Sequence, residues 1–176
     1  MSGGAEANQS GLTWEAWVRT FAKRQGFEVL GHSLRSRCTI PEPLRRIVWT
    51  HVPYRTIFQN IKNPSKASTE YLVECGTDRV RIECKWQGVA GSVDEKYPFM
   101  FLNAALTMIE DTVVFALGGE YFETGKGAEV RNWLTRVCAT PPEWFSEEIK
   151  LKLSKRQLLV LTPNTFAKWF RERFPV

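Results

Sequence analysis

Two runs, 70–75 and 79–86, alternate polar and apolar side chains and are separated only by Gly76-Thr77-Asp78. Period-two alternation marks a half-buried strand, and a short polar turn between two such runs makes a β-hairpin. With Thr77-Asp78 as a two-residue turn, Tyr71 faces Cys84, Val73 faces Ile82 and Cys75 faces Val80, giving one apolar face. The opposite face then carries Glu74 across from Arg81, Leu72 across from Glu83 and Glu70 across from Lys85. A one-residue slip would turn the polar row into the core, so the alternation favours this register. Directly opposed Cβ atoms lie about 5 Å apart and diagonal ones about 7–8 Å. Glu70, Glu83 and Lys85 therefore cluster at one end of the polar face, with Gln87 just beyond.

The rest of the chain alternates helical and extended patterns around this hairpin. Leu12 to Gln25 reads as a helix stopped by Gly26, and Phe27 to Leu30 as a short strand. Prolines punctuate 31–68, where 44–50 reads as a helical turn or a strand and 55–61 as a strand. Further helices are expected at 93–109, 128–137, 143–153 and 163–174, and strands at 113–117 and 157–161. This order gives an α/β fold with a mixed central sheet and helices on both faces. At 176 residues, 43% apolar and 24% charged, the chain suits one folded domain over 11–176 behind a short flexible tail at 1–10.

Several classes are excluded. No apolar run is long enough to span a membrane, and MSGGAEANQSG has no basic region followed by an apolar stretch, so neither a membrane nor an export route is expected. The four cysteines, Cys38, Cys75, Cys84 and Cys138, have no C-x-x-C spacing, which argues against structural zinc and suits a reducing cytoplasm. Only His32 and His51 are present, and neither completes a nucleophile or metal set, so both are read as structural or exposed.

Two carboxylates and a lysine in one cluster are what a Mg²⁺- or Mn²⁺-dependent phosphodiesterase needs. Hard divalent cations take oxygen ligands, polarise a phosphoryl oxygen and acidify a water, while a lysine orients that water or offsets charge. Ile82-Glu83-Cys84-Lys85 ends a strand as E-x-K, Glu70 stands 13 residues before Glu83, and the run continues as ECKWQGVAGSVDEKYPF. These residues resemble the PD-(D/E)XK nuclease superfamily, whose fold is restriction-endonuclease-like. That resemblance implies a metal-dependent DNA endonuclease using a metal-activated water. It implies Glu70 and Glu83 as metal ligands with the backbone carbonyl of Cys84, Lys85 as the residue that positions the water, and Gln87 as a supporting or phosphate-contacting residue. It also matches Glu15 to an acidic residue on the first helix that binds metal directly or through water. The first acid is Glu70 where the pattern has Asp, and Ser68-Thr69 precede it where the pattern has Pro. The added methylene moves the carboxylate by roughly one C–C bond length.

Each residue also has a plainer reading. Glu70–Lys85 and Glu74–Arg81 fit cross-strand ion pairs, and Glu74 competes with Glu70 for the first-acid role. Glu15 fits a surface helix, and Cys84 fits a core thiol against Tyr71. Ser92, Glu95 and Lys96 fit a capping box, and the Gly118-Gly119 and 125–127 clusters fit turns. Residues 19–46 hold seven basic side chains against two acidic ones, and 150–173 hold seven against one; these stretches fit DNA-phosphate surfaces or solvated helix faces. So small a chain is expected to cut as a homodimer or as a subunit of a larger nuclease complex. Junction resolvases and exonucleases use related chemistry. The alternative function is a non-catalytic DNA-binding or scaffolding subunit of a nucleoprotein or defence assembly.

Overall fold

The computed structural model describes residues 3–57, 67–89 and 96–176. Its elements in chain order are α1 (Gly3–Arg24), β1 (Glu28–Gly31), β2 (Arg46–Pro53), β3 (Ser68–Cys75), β4 (Asp78–Trp86), α2 (Lys96–Leu106), β5 (Thr112–Gly118), α3 (Gly125–Ala139), α4 (Glu147–Ser154), β6 (Gln157–Leu161) and α5 (Pro163–Arg173). Short 3₁₀ segments cover His32–Arg37, Glu42–Leu44 and Glu120–Phe122. Among the described residues six strands form one sheet in chain order. The β1–β2, β4–β5 and β5–β6 pairs are parallel, and the two central pairs, β2–β3 and β3–β4, are antiparallel. This is the mixed α/β sheet of the restriction-endonuclease-like fold.

Helices cover both faces. On one face α1 and α5 interleave Trp14, Val18 and Phe21 with Phe166, Phe170 and Phe174 over Val48, Tyr71, Val73, Ile82 and Cys84. On the other, α2, α3 and α4 bring Tyr97, Phe101, Leu134 and Leu153 onto Val113, Phe115 and Leu117 of β5. Strand β5 is buried along its whole length, as its unbroken apolar run requires of a parallel strand sandwiched between helices. A third cluster, Ile47, Trp49, Val52 and Leu72, packs with Leu30, Cys38 and Ile40. Truncating a buried phenylalanine such as Phe170 to alanine would cost about 3–5 kcal/mol.

The hairpin differs from expectation by two residues of register. Tyr71 pairs with Ile82, Val73 with Val80 and Cys75 with Asp78, so the turn is Gly76-Thr77. Gly76 has φ of 59°, the left-handed conformation that a two-residue hairpin turn takes at its first position and that glycine adopts without strain. A two-residue shift keeps Tyr71 to Cys75 and Arg79 to Lys85 on their expected faces.

Other boundaries also move. Of the two readings for 44–50, the strand holds, as β2 over 46–53; 55–57 belong to no strand, and the remainder of the 55–61 strand lies outside the described residues. Helix α1 begins ahead of Leu12, α2 ends before Ile109, and Ser92 and Glu95 of the expected capping box lie outside the described residues. The glycine clusters are turns, with α3 starting at Gly125.

Gly119 joins β5 to the segment that supports the end of β4. Its φ is 109°, and a Cβ there would lie 2.1 Å from the Gln87 carbonyl oxygen. Gly119→Ala is therefore expected to destabilise the protein by about 2 kcal/mol or more. Gly88→Ala has open space around its Cβ and is expected to stay within about 0.5 kcal/mol of wild type. Thermal denaturation of the two variants checks the contrast.

Candidate active site

The site lies where the central strands separate. The β3–β4 ladder ends at the Tyr71–Ile82 pair, but β4 stays paired with β5 as far as Trp86–Gly118. A local reversal in β2 and β3 produces the split. In β2, Val48 faces α1 while Ile47 and Trp49 face away, yet Val52 joins Ile47 and Trp49 in their cluster. In β3, the Thr69 hydroxyl accepts from Arg81 Nη1 at 3.2 Å, so Thr69 shares a face with Leu72, three residues away. Strict alternation allows neither. Both strands switch faces at the His51/Glu70 position, where the β2–β3 ladder skips one pair. His51 has φ of 54°, the one positive-φ non-glycine among the described residues.

The reversal brings Glu70 into the gap beside β4. Its Oε2 accepts the Cys84 backbone N–H at 2.8 Å, in place of a strand partner for that amide. Its Oε1 lies 3.2 Å from Lys85 Nζ. Glu83 Oε1 lies 2.6 Å from the same ammonium, which also donates to the Cys84 carbonyl at 3.1 Å. Among the described residues Glu83 Oε2 is buried with no hydrogen-bond partner.

One lysine faces two carboxylates, and the charges show it. Burial pushes the Glu83 carboxyl up, Lys85 partly offsets this, and Glu70 adds to it, leaving Glu83 near 7. Burial alone would lower Lys85, but Glu83 and Glu70 outweigh it and hold the ammonium above its ordinary range. Glu15 on α1 is half-buried and raised, first by burial and then by Glu70, while Lys85, His51 and Arg19 pull it back. Tyr54, just past β2, is pushed up to about 12 by burial and by Glu83. His51 and Tyr54 thus border the cluster, though no motif in the sequence marks them.

The donor set fits a hard divalent cation. Glu70 Oε1, Glu83 Oε1 and the Cys84 carbonyl converge on one positive centre, Lys85 Nζ, and Glu83 Oε2 is an unpaired buried acceptor beside it. Carboxylate and carbonyl oxygens suit Mg²⁺ or Mn²⁺. Among the described residues no group of three His, Cys, Asp or Glu side chains is arranged to hold an ion; the third oxygen here belongs to the main chain. Glu15 lies within electrostatic range of Glu70 without joining this set.

The remaining predicted residues take other positions. Gln87 is buried and anchored: its Nε2 donates to the Val89 carbonyl at 2.9 Å, and its Oε1 accepts from the Tyr97 hydroxyl at 3.3 Å. Glu74 is far along β3 from Glu70 and does not pair with Arg81. It accepts from Trp49 Nε1 at 2.7 Å and Arg35 Nη2 at 2.6 Å, and these bonds hold its carboxyl below the ordinary range despite burial. Arg81 instead forms a buried bidentate pair with Glu110, both contacts at 2.6 Å. The Cys84 thiol is buried in the same core as Tyr71, and burial pushes it up.

Much of the basic excess is structural. Arg45 and Arg35 serve Glu74, and Arg46 donates to the carbonyls of Gln25, Phe174 and Pro175. Arg173 pairs with Asp78. Arg19 and Lys23 remain exposed, lining with Thr20 and Thr50 a groove of about 390 Å³ between α1 and the β1–β2 edge.

A family model described as the PD-(D/E)XK nuclease superfamily domain matches residues 6–174. No curated protein and no solved structure matches the chain. No helix among the described residues is long and apolar enough to cross a membrane.

The raised Glu83 carboxyl has a measurable sign. A buried acid raised from 4.5 to about 7 binds a proton in the folded state that the unfolded state has already lost. Its contribution to stability is complete below the ordinary carboxylate range and disappears as pH rises through 7. Relative to Glu83→Gln, the metal-free wild type is expected to lose on the order of 2 kcal/mol between about pH 5 and 8. Urea titrations of both proteins across that range measure it.

Proposed function

The chain belongs to the PD-(D/E)XK nuclease superfamily, and on that basis we propose that it is a Mg²⁺- or Mn²⁺-dependent DNA endonuclease, folded as one nuclease domain over 11–176 and acting in the cytoplasm. The observation that carries this reading is the convergence of two carboxylates and a main-chain carbonyl on one cationic point, with a buried carboxylate oxygen left over. In this reading Glu70, Glu83 and the Cys84 carbonyl hold the ion. When bound, it supplies positive charge beside the phosphate and makes a water more acidic. Lys85 orients the attacking water for in-line displacement and offsets charge on the phosphoryl oxygens. Gln87 supports the end of β4 through its bonds to Val89 and Tyr97, and Glu15 adds negative charge on the α1 side. Cutting both strands of a duplex calls for a homodimer or a place in a larger nuclease complex.

Relaxation and linearisation of supercoiled plasmid with Mg²⁺ or Mn²⁺ test this. Wild type is expected to cut, and Glu83→Ala and Lys85→Ala to lose at least about 100-fold in rate. Cleavage that survives both substitutions would refute the residue assignment. A wild type that binds DNA without cutting would support the scaffolding function instead.

Metal binding separates the roles. Lys85→Met removes the ammonium that now occupies the oxygen cluster, so it is expected to keep or tighten Mn²⁺ binding in calorimetry while losing cleavage. Glu83→Gln is expected to weaken Mn²⁺ binding about 10-fold or more.

A further inference from the structure

His51 is exposed at the point in β2 where the strand reverses its faces, directly across the broken ladder pair from Glu70. The fold needs a left-handed residue there, because the reversal brings Glu70 to Cys84 N–H and Lys85. Glycine adopts that conformation freely, whereas a residue with a Cβ is strained in it. A side chain held under strain where none is needed for the backbone points to work done by the side chain.

That work is not internal. Among the described residues the imidazole makes no hydrogen bond, and it acts electrostatically on the half-buried Glu15. His51 also stands where two surfaces meet. Thr50, its chain neighbour, lines the groove that carries the exposed Arg19 and Lys23, and Glu70 begins the carboxylate cluster on the other side. A phosphodiester backbone running along the basic groove toward the carboxylates passes this imidazole.

Resting on the nuclease reading above, we propose that His51 is a substrate-contacting residue whose imidazole donates a hydrogen bond to a DNA backbone phosphate where the Arg19/Lys23 groove enters the carboxylate cluster. The groove holds the strand by charge, and the imidazole fixes its register against Glu70 and Lys85.

The test uses the full chain in three forms, wild type, His51→Gly and His51→Ala, with two readouts. The first is thermal melting without metal or DNA. His51→Gly is expected to melt at or above the wild-type temperature, since it removes the strain. The second is cleavage of a set of duplexes, each carrying one uncharged methylphosphonate at a successive position. Both variants are expected to lose about 10- to 100-fold in kcat/KM on unmodified DNA, the worth of one hydrogen bond to a charged group. One methylphosphonate position is expected to slow wild type by a similar factor while slowing His51→Ala no further, because the contact is already gone.

If every methylphosphonate slows His51→Ala as much as wild type, the contact does not exist and the proposal is overturned. Wild-type cleavage rates in a well-folded His51→Gly overturn it as well. A wild type that does not cut, or whose cutting survives Lys85→Ala, refutes the nuclease reading itself, and this inference with it.

Discussion

Among the described residues, strand β4 beyond Ile82 has a strand partner on one side only. Strand β5 holds it through Trp86–Gly118, while β3 has already departed. Every property of the site follows from that one-sided support. The Cys84 amide, deprived of a carbonyl, takes a carboxylate oxygen from Glu70 instead. Accepting a backbone N–H fixes that carboxylate in orientation as well as in distance. Glu83 and Lys85, the next polar positions on β4, then complete the cluster. The strand end stays ordered because Gln87 N–H donates to Gly118 and Tyr121 N–H to Gln87, a close approach that only a glycine at 119 permits.

The cluster itself is electrostatically unfinished. One buried and one half-buried carboxylate share one ammonium, a third acid stands within range on α1, and one carboxylate oxygen lacks any partner among the described residues. Buried charge without full compensation costs stability unless something else supplies the missing countercharge. The Arg81–Glu110 pair, one turn of the pleat earlier on β4, is the contrasting case: both oxygens and the guanidinium fork are matched. Two ion-pair systems on one strand thus differ in completeness, and the incomplete one lies at the open end.

The hairpin was readable from sequence because alternation assigns faces, and Glu83 and Lys85 fell on the same one; Glu70 joins them through the reversal, which alternation does not show. The register was not, since a shift of two residues leaves a period-two pattern unchanged and only the turn geometry at Gly76 decides it. The same symmetry made Glu74 indistinguishable from Glu70. What separates them is tertiary: Trp49 and Arg35, distant in sequence, claim Glu74. The reversal at His51 left no trace in the sequence, because a left-handed histidine carries no local signal comparable to glycine. The basic stretches fitted a DNA surface or solvated helix faces, but Arg45 and Arg46 turn to a carboxylate and carbonyls, and Arg173 pairs with Asp78 at the surface. Charge counting along a chain does not distinguish a solvated cation from one that ties elements together.

The aromatic column on α1 gives the protein a built-in optical marker. Trp14 and Trp17 stack with centroids 5.0 Å apart and planes 16° from parallel, and Phe21 continues the stack. Two indoles this close couple their transition dipoles, so they absorb polarised light as a pair rather than as independent rings. Trp14 is also pinned by its Nε1 to the Ala116 carbonyl on β5, and it is the immediate chain neighbour of Glu15. The near-ultraviolet circular dichroism of the native protein therefore registers how α1 sits on the sheet, beside the strand end where the carboxylates gather.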